Sequence, residues 1–217
     1  MSEKKQKVVI VDDHPLFRER LFELINHQLD MEVCGEAEDA QQALELIGKT
    51  CPDLAMVDIT LKESSGLDLI KKIRELPTTV PVLVLSMHDE SLYAERALRS
   101  GAAGYITKHE SAENVLSAMR RVLAGEVYLS GTLTSAFLKS LTAGSKPTSQ
   151  PLDRLTDREL EVLELIGRGR ATRQISEALK LGVATVDTYR ARIKEKMNFR
   201  SGTELQHFAI RWVRDRE

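Results

Sequence analysis

Short apolar runs alternate with stretches of helical spacing along the first two thirds of the chain. The runs are VVIV at 8–11, MEVCGEA at 31–37, LAMV at 54–57, VPVLVL at 80–85 and GYIT at 104–107. Each is too short for a helix and rich in β-branched residues, so each predicts a strand. Between them, apolar positions three and four apart predict helices over Leu16–Leu29, Ala40–Ile47, Leu67–Leu76, Leu92–Leu98 and Val115–Leu123. Five β-α units in succession predict an α/β domain: a five-stranded parallel, doubly wound sheet with helices on both faces and right-handed crossovers. Ligands gather beyond the carboxyl ends of such strands.

The pattern stops at Leu141–Pro151, where LTAGSKPTSQP carries small, polar and proline residues without periodicity, the composition of an interdomain linker. The domains are therefore placed at 1–128 and 152–217, with a linker at 129–151 that has room for a helix. Beyond it, Thr156 and Glu159 are spaced as a capping box, and Leu160, Leu163 and Ile166 follow on one helical face. Gly167 and Gly169 end this helix. A second short helix near Thr172–Leu179 and a third near Ala184–Met197 flank Gly182, and two helices joined by so short a turn suggest a helix-turn-helix in a small all-α domain.

Composition narrows the class. The 217 residues are 42% hydrophobic and 29% charged, which suits a globular protein and excludes a disordered one. No run approaches the ~18 apolar residues of a membrane span, and no secretory signal is visible, so a cytoplasmic protein without a membrane partner is expected. Cys34 and Cys51 lack metal-ligand spacing to each other or to the five histidines, which argues against a disulfide framework or a zinc site. Net charge is only -2, but it is unevenly spread. Residues 153–217 carry 14 Lys+Arg against 11 Asp+Glu, net +3, whereas residues 1–152 carry 17 against 22, net -5. From Gly167 to Arg200 nine bases face three acids. An acidic front and a basic back imply different partners.

The strand ends carry the candidate chemistry. The first strand runs into Asp12 and Asp13, the third into Asp58, the fourth into Ser86, and the fifth through Thr107 to Lys108. In a parallel sheet all of them share one rim. Three clustered carboxylates repel one another unless a cation joins them, and a hard, oxygen-seeking ion such as Mg2+ fits best. Such an ion neutralises the oxygens of a transferring phosphoryl group, with a lysine as second charge and a hydroxyl as hydrogen-bond donor, and Asp58 becomes a candidate nucleophile. Singly, each residue has a local explanation: Asp13 before His14 and Pro15 reads as a helix cap, Asp58 as a loop cap and Lys108 as a surface charge. Their coincidence at four strand ends favours chemistry.

On the third helix of the back domain, Val186, Tyr189, Ile193 and Met197 fall on one face. Asp187, Thr188, Ala191 and Arg192 fall on the other, with Thr185 at its start. Small and polar side chains allow close approach to base edges, while Arg190, Arg192, Lys194 and Lys196 can meet flanking phosphates. The competing reading is a solvated face on a helical docking module, which the local excess of bases disfavours.

The segments VVIVDDHP, MVDITLKESSGLDL, VPVLVLSMH and GAAGYITK strongly resemble the receiver domain of bacterial two-component response regulators, over roughly residues 5–126. That resemblance implies a flavodoxin-like sheet and a phosphoryl group accepted on Asp58 from a sensor histidine kinase. It implies Mg2+ held by Asp13 and Asp58 with Asp12 assisting, completed by the backbone carbonyl of Thr60. Ser86 and Lys108 match the positions that sense the phosphoryl group, and Tyr105 matches the aromatic switch position; read without the resemblance, Tyr105 is a half-buried strand aromatic.

LTDRELEVLELI, GRATRQISEAL and VATVDTYRARIKEKM resemble the LuxR-type DNA-binding domain over residues 152–215, and the tandem resembles the NarL/FixJ class. The implied activity is phosphorylation-controlled transcription regulation on double-stranded DNA, as a homodimer when phosphorylated. No turnover is implied beyond self-phosphorylation and slow self-dephosphorylation at Asp58. Departures occur at Ala171 and Gly182, where relatives often have Ser, and at Gln174, a frequent Glu, so the second helix loses its usual capping box and Thr172 is expected to cap instead. Asp187 stands where Lys is common; an acid accepts from cytosine N4 but repels phosphate. An aspartate-nucleophile phosphohydrolase is the alternative, disfavoured because it leaves the basic helical module idle.

Overall fold

The computed structural model describes residues 4–61, 64–87, 90–131, 134 and 151–215. It divides into two compact units, Met1–Ala143 and Gly144–Glu217. The expected linker lies largely outside the described residues.

The first unit is built on β1 (Gln6–Val11), β2 (Met31–Ala37), β3 (Leu54–Val57), β6 (Val82–Ser86) and β7 (Gly104–Thr107). They form one five-stranded parallel sheet in the order β2-β1-β3-β6-β7. Every residue of β3 and β6 is buried, whereas β2 at the edge is mostly half-buried. That is why the central runs read as continuously apolar: helices cover both faces. A small antiparallel pair, β4 (Thr60–Leu61) and β5 (Ser64–Ser65), follows β3 and has no counterpart in the apolar pattern.

The covering helices are α1 (Pro15–Asn26), α2 (Ala40–Thr50), α3 (Gly66–Arg74), α4 (Glu90–Ser100) and α5 (Ala112–Leu123). Asp39, Ser65 and Ser111 cap α2, α3 and α5 by accepting from the amides of Gln42, Leu67 and Asn114. α1 ends at Asn26 rather than at Leu29, which is 92% exposed. The chain must turn there because β2 starts at Met31 beside Gln6, and the Asn26 side chain accepts from Val33 N at 2.9 Å to hold that turn. Val8, Ile10, Leu21, Ile25, Leu54, Met56, Leu83 and Ile106 join Val115, Ala118, Met119 and Val122 of α5 in one core. After α5 the chain returns to the sheet edge, where Tyr128 bonds to both sides of Gly104.

The second unit contains a 3-10 turn at Pro151–Arg154 and four helices: α6 (Asp157–Gly167), α7 (Thr172–Ala178), α8 (Val183–Met197) and α9 (Gly202–Arg214). The capping box at α6 is complete: Glu159 N donates to Thr156 Oγ1 at 3.4 Å, and Thr156 N donates to Glu159 Oε2 at 2.7 Å. Gly169, at φ +74°, closes α6 with Gly169 N on Ile166 O and Arg170 N on Leu165 O. The expectation for α7 needs correction. Its cap is Ala171, Thr172 lies inside the helix, and only half a box survives, through Ala171 N donating to Gln174 Oε1 at 3.0 Å. α9 was not anticipated, although Ser201 and Glu204 have capping spacing and Ser201 Oγ accepts from Glu204 N. It packs tightly on α6, since a Cβ at Gly167 would lie 2.5 Å from Ala209 O.

Candidate phosphoacceptor site and nucleic-acid interface

Register assembles the rim of the parallel sheet. Val11 pairs with Val57 across β1 and β3, so the next residues, Asp12 and Asp58, lie side by side. Asp12 N donates to Ala37 O and Asp58 N to Val11 O, which carries the ladder one step past each strand. Ser86 pairs with Thr107, and Lys108 N donates to Ser86 O at 2.8 Å, bringing the lysine to the same rim.

Lys108 crosses the rim. Its Nζ lies 2.5 Å from Asp12 Oδ2 and 2.8 Å from Asp58 Oδ2, with side chains of all three 3% exposed. It also sits 4.5 Å from the centroid of the Phe17 ring. Ligand atoms of Asp12, Asp13, His14 and Asp58 lie within 4.8 Å of one another. The His14 Nδ1 is 2.8 Å from Asp13 Oδ1 and 3.2 Å from Asp12 Oδ1, on a ring 52% exposed. Burial pushes the Asp58 carboxyl up to about 6; Lys108 pulls against this, Asp12 adds to it, and the Thr60 backbone amide opposes it. One Asp58 oxygen is therefore on the lysine. The other, Oδ1, is buried and makes no hydrogen bond among the described residues.

An acceptor stranded beside two further carboxylates fits a hard divalent cation. The expected set of Asp12, Asp13, Asp58, Ser86 and Lys108 thus comes together. Thr60 opens β4 two residues beyond Asp58. Tyr105 lies within β7 opposite Val84 and is fully rather than half buried.

Sequence reasoning missed four contributors. Phe17 and His14 are local to the DDHPLF segment, but nothing in spacing shows that they face the lysine and the acids. Arg18 Nη1 donates to the Asp12 carbonyl at 2.6 Å while its Nε approaches Glu36 at 3.6 Å, tying α1 to the ends of β1 and β2. Gly66 abuts the site from behind: Gly66 N donates to Ile59 O at 2.7 Å, and a Cβ there would lie 1.9 Å from Asp58 O.

In the helical unit, α8 follows Gly182 and packs through Val186 and Ile193, both fully buried, with Tyr189 and Met197 half-buried beside them. Thr185, Asp187, Thr188, Ala191 and Arg192 are exposed, and Arg190 and Lys194 are half-buried. Thr188 Oγ1 donates to Ala184 O at 2.9 Å. Lys196 is drawn elsewhere than the outer face: its Nζ lies 2.6 Å from Glu159 Oε2, whose side chain is 2% exposed.

A carboxylate-rich sheet rim on one unit and a basic helix-turn-helix on the other define a signal-responsive DNA-binding protein. Residues 8–120 match the family of response regulator receiver domains, and residues 153–209 match the bacterial regulatory proteins of the luxR family. The oxygen regulatory protein NreC of Staphylococcus carnosus (strain TM300) is 34% identical over 210 residues, covering 94% of this chain and 97% of its own. A two-component response regulator of the LuxR family from Aurantimonas sp. SI85-9A1 superposes with TM-score 0.60 at 30% identity, covering 64% of this chain and 99% of its own. RcsB of Salmonella enterica serovar Typhimurium, bound to promoter rprA in the presence of the phosphomimetic BeF3-, shares the fold at TM-score 0.59 and 22% identity over 95% of this chain and 98% of its own.

The chain belongs to the two-component response regulators that join a receiver domain to a LuxR-type DNA-binding domain. It is a transcription regulator, and the matches give no support to the phosphohydrolase alternative. No helix among the described residues is long and apolar enough to cross a membrane.

Proposed function

We propose that the protein accepts a phosphoryl group on Asp58 from a sensor histidine kinase in the cytoplasm and answers by binding double-stranded DNA as a homodimer through α8. The observation that carries this reading is the division of labour at Asp58, with Oδ2 on Lys108 and Oδ1 buried beside Asp12 and Asp13 without a hydrogen bond among the described residues. A carboxylate oxygen of Asp58 attacks the phosphorus of a phosphohistidine; the O–P bond forms, the P–N bond breaks, and its electron pair returns to the imidazole of the kinase. Lys108 balances charge on the new phosphoryl oxygens, and Ser86 donates a hydrogen bond to one of them. Asp12, Asp13, Asp58 and the Thr60 carbonyl would hold Mg2+. When bound, Mg2+ neutralises charge on the transferring phosphoryl oxygens. Tyr105, buried in β7 beside Ile106 of the core, is the switch residue that answers the phosphoryl group. Turnover is limited to self-phosphorylation and slow self-dephosphorylation at Asp58. The domains of this reading are residues 1–128 and 152–217.

On the output side, Thr185, Asp187, Thr188 and Ala191 face base edges, while Arg190, Arg192 and Lys194 neutralise phosphates. Lys196 instead anchors α8 to α6 through Glu159. A dimer places two α8 helices about one DNA turn apart on paired half-sites. The test is labelling by a small phosphodonor with Mg2+, followed by mass mapping. The wild type should gain one phosphoryl group on the peptide containing Asp58, and Asp58→Asn should gain none. A full label on Asp58→Asn, mapped to another residue, would refute the assignment.

A further inference from the structure

We infer that Asp187 makes α8 a reader of cytosine, with neighbouring thymines recognised by methyl contacts; this rests on α8 being the recognition helix. The carboxylate is exposed, and among the described residues it takes part in no hydrogen bond or ion pair. Arg190 stands at i+3 on the same helix, the spacing at which such pairs form, yet among the described residues it is not paired with it. Asp187 also lies beyond the first turn of α8, which holds no acidic residue, so stabilisation at the helix start does not account for it.

A free carboxylate brought against DNA meets phosphate charge from both strands, and it must find a donor or cost affinity. The major groove offers few. Cytosine presents its N4 amino group alone; adenine presents N6 but beside the N7 acceptor; thymine presents the O4 acceptor; guanine presents two acceptors, O6 and N7. The acid therefore ranks the bases C, A, T, G, the reverse of what a lysine or arginine would impose at this position.

The surroundings of Asp187 add to the reading. Val183, Ala184 and Ala191 are exposed and apolar, at helical spacings that share its side of α8. Thr188 has turned its hydroxyl back onto the Ala184 carbonyl, which leaves its methyl as the outward group. Apolar side chains of this size contact the C5-methyl of thymine. The strand read by α8 is therefore pyrimidine-rich, with a cytosine opposite Asp187 next to thymine.

Selection from a randomised duplex library with the full chain, activated by beryllofluoride, tests this. The wild type should return one position per half-site fixed as cytosine, with guanine there costing about tenfold or more in affinity. Asp187→Asn, whose amide can pair with both N6 and N7 of adenine, should move that position to adenine and leave the others unchanged. Thr188→Ser keeps the hydroxyl and removes the methyl, so it should relax an adjacent thymine. An unconstrained position in the wild type, or the same base chosen by Asp187→Asn, would overturn the cytosine assignment; retention of the thymine by Thr188→Ser would overturn the methyl contact. If affinity for every duplex is untouched by Arg192→Ala and Lys194→Ala, the reading of α8 as the DNA-contacting helix fails instead.

Discussion

Replacing Asp58 by Asn removes a charge that the fold itself disfavours. Burial raises the Asp58 carboxyl from 3.8 to about 6, the Lys108 contact notwithstanding. A raised carboxyl pKa means that the folded state holds its proton more tightly than the unfolded chain does. Stability from this group is therefore complete below the unfolded value of 3.8 and is lost as pH rises through about 6. Moving the carboxyl from 3.8 to about 6 corresponds to about 3 kcal/mol of stability lost by the wild type above that window. Asn is neutral throughout and avoids the loss. In EDTA, the α/β unit of Asp58→Asn should thus be about 3 kcal/mol more stable than the wild type at pH 7.5, and only about 1 kcal/mol more stable at pH 4.5. Urea unfolding followed by far-UV circular dichroism reads the transition. Trp212 of α9 is the single tryptophan, so its fluorescence follows the helical unit alone and should not change. Coincident α/β transitions for the two proteins at pH 7.5, or a gap that fails to narrow at pH 4.5, would refute the reasoning. Mg2+ should close the gap at neutral pH, because a ligand held by the native carboxylates stabilises the wild type preferentially.

Gly66→Ala should cost about 1–3 kcal/mol in the α/β unit and depress phosphoryl labelling of Asp58, because the new methyl collides with the Asp58 carbonyl; normal labelling would show that the loop can yield. Lys196→Met should destabilise the helical unit by about 1–3 kcal/mol, read by Trp212 fluorescence in urea, because it leaves the buried Glu159 carboxylate with the Thr156 amide but no counter-charge, while the salt dependence of DNA binding stays unchanged. Lys180 holds a left-handed conformation, φ +54°, at the turn between α7 and α8, so Lys180→Gly should raise the stability of that unit by up to about 1 kcal/mol, a shift calorimetry would detect. Arg192→Ala and Lys194→Ala should each weaken binding about equally on all duplexes and flatten the salt slope by about one unit, measured by titration across salt concentrations.

Local pattern determined most of the architecture. The five apolar runs became the five strands, because a strand buried between two helical layers must be apolar throughout, and that demand is written in adjacent residues. The acids of the rim were legible for the same reason: a residue that ends a parallel strand points to the ligand side whichever strand it ends. The capping box of α6 was readable because Thr156 and Glu159 bond within one turn. The end of α1 was not, since periodicity carried through Leu29 while pairing of β2 with β1 forced the turn earlier.

Tertiary structure decided which partners those residues meet. Lys108 reaches Asp58 across fifty positions and Lys196 reaches Glu159 across thirty-seven, and no periodicity records such distances. The sequence placed Lys196 among bases suited to phosphate; the fold tied it to a buried acid, because a carboxylate inside a small helical core needs a counter-charge more than the surface needs another base. Phe17, Arg18 and Gly66 entered the site in the same way, through contacts that exist only once α1 and the segment after β3 have closed over the rim. A side chain's face follows from its neighbours in sequence, whereas its partner follows from packing between elements distant along the chain.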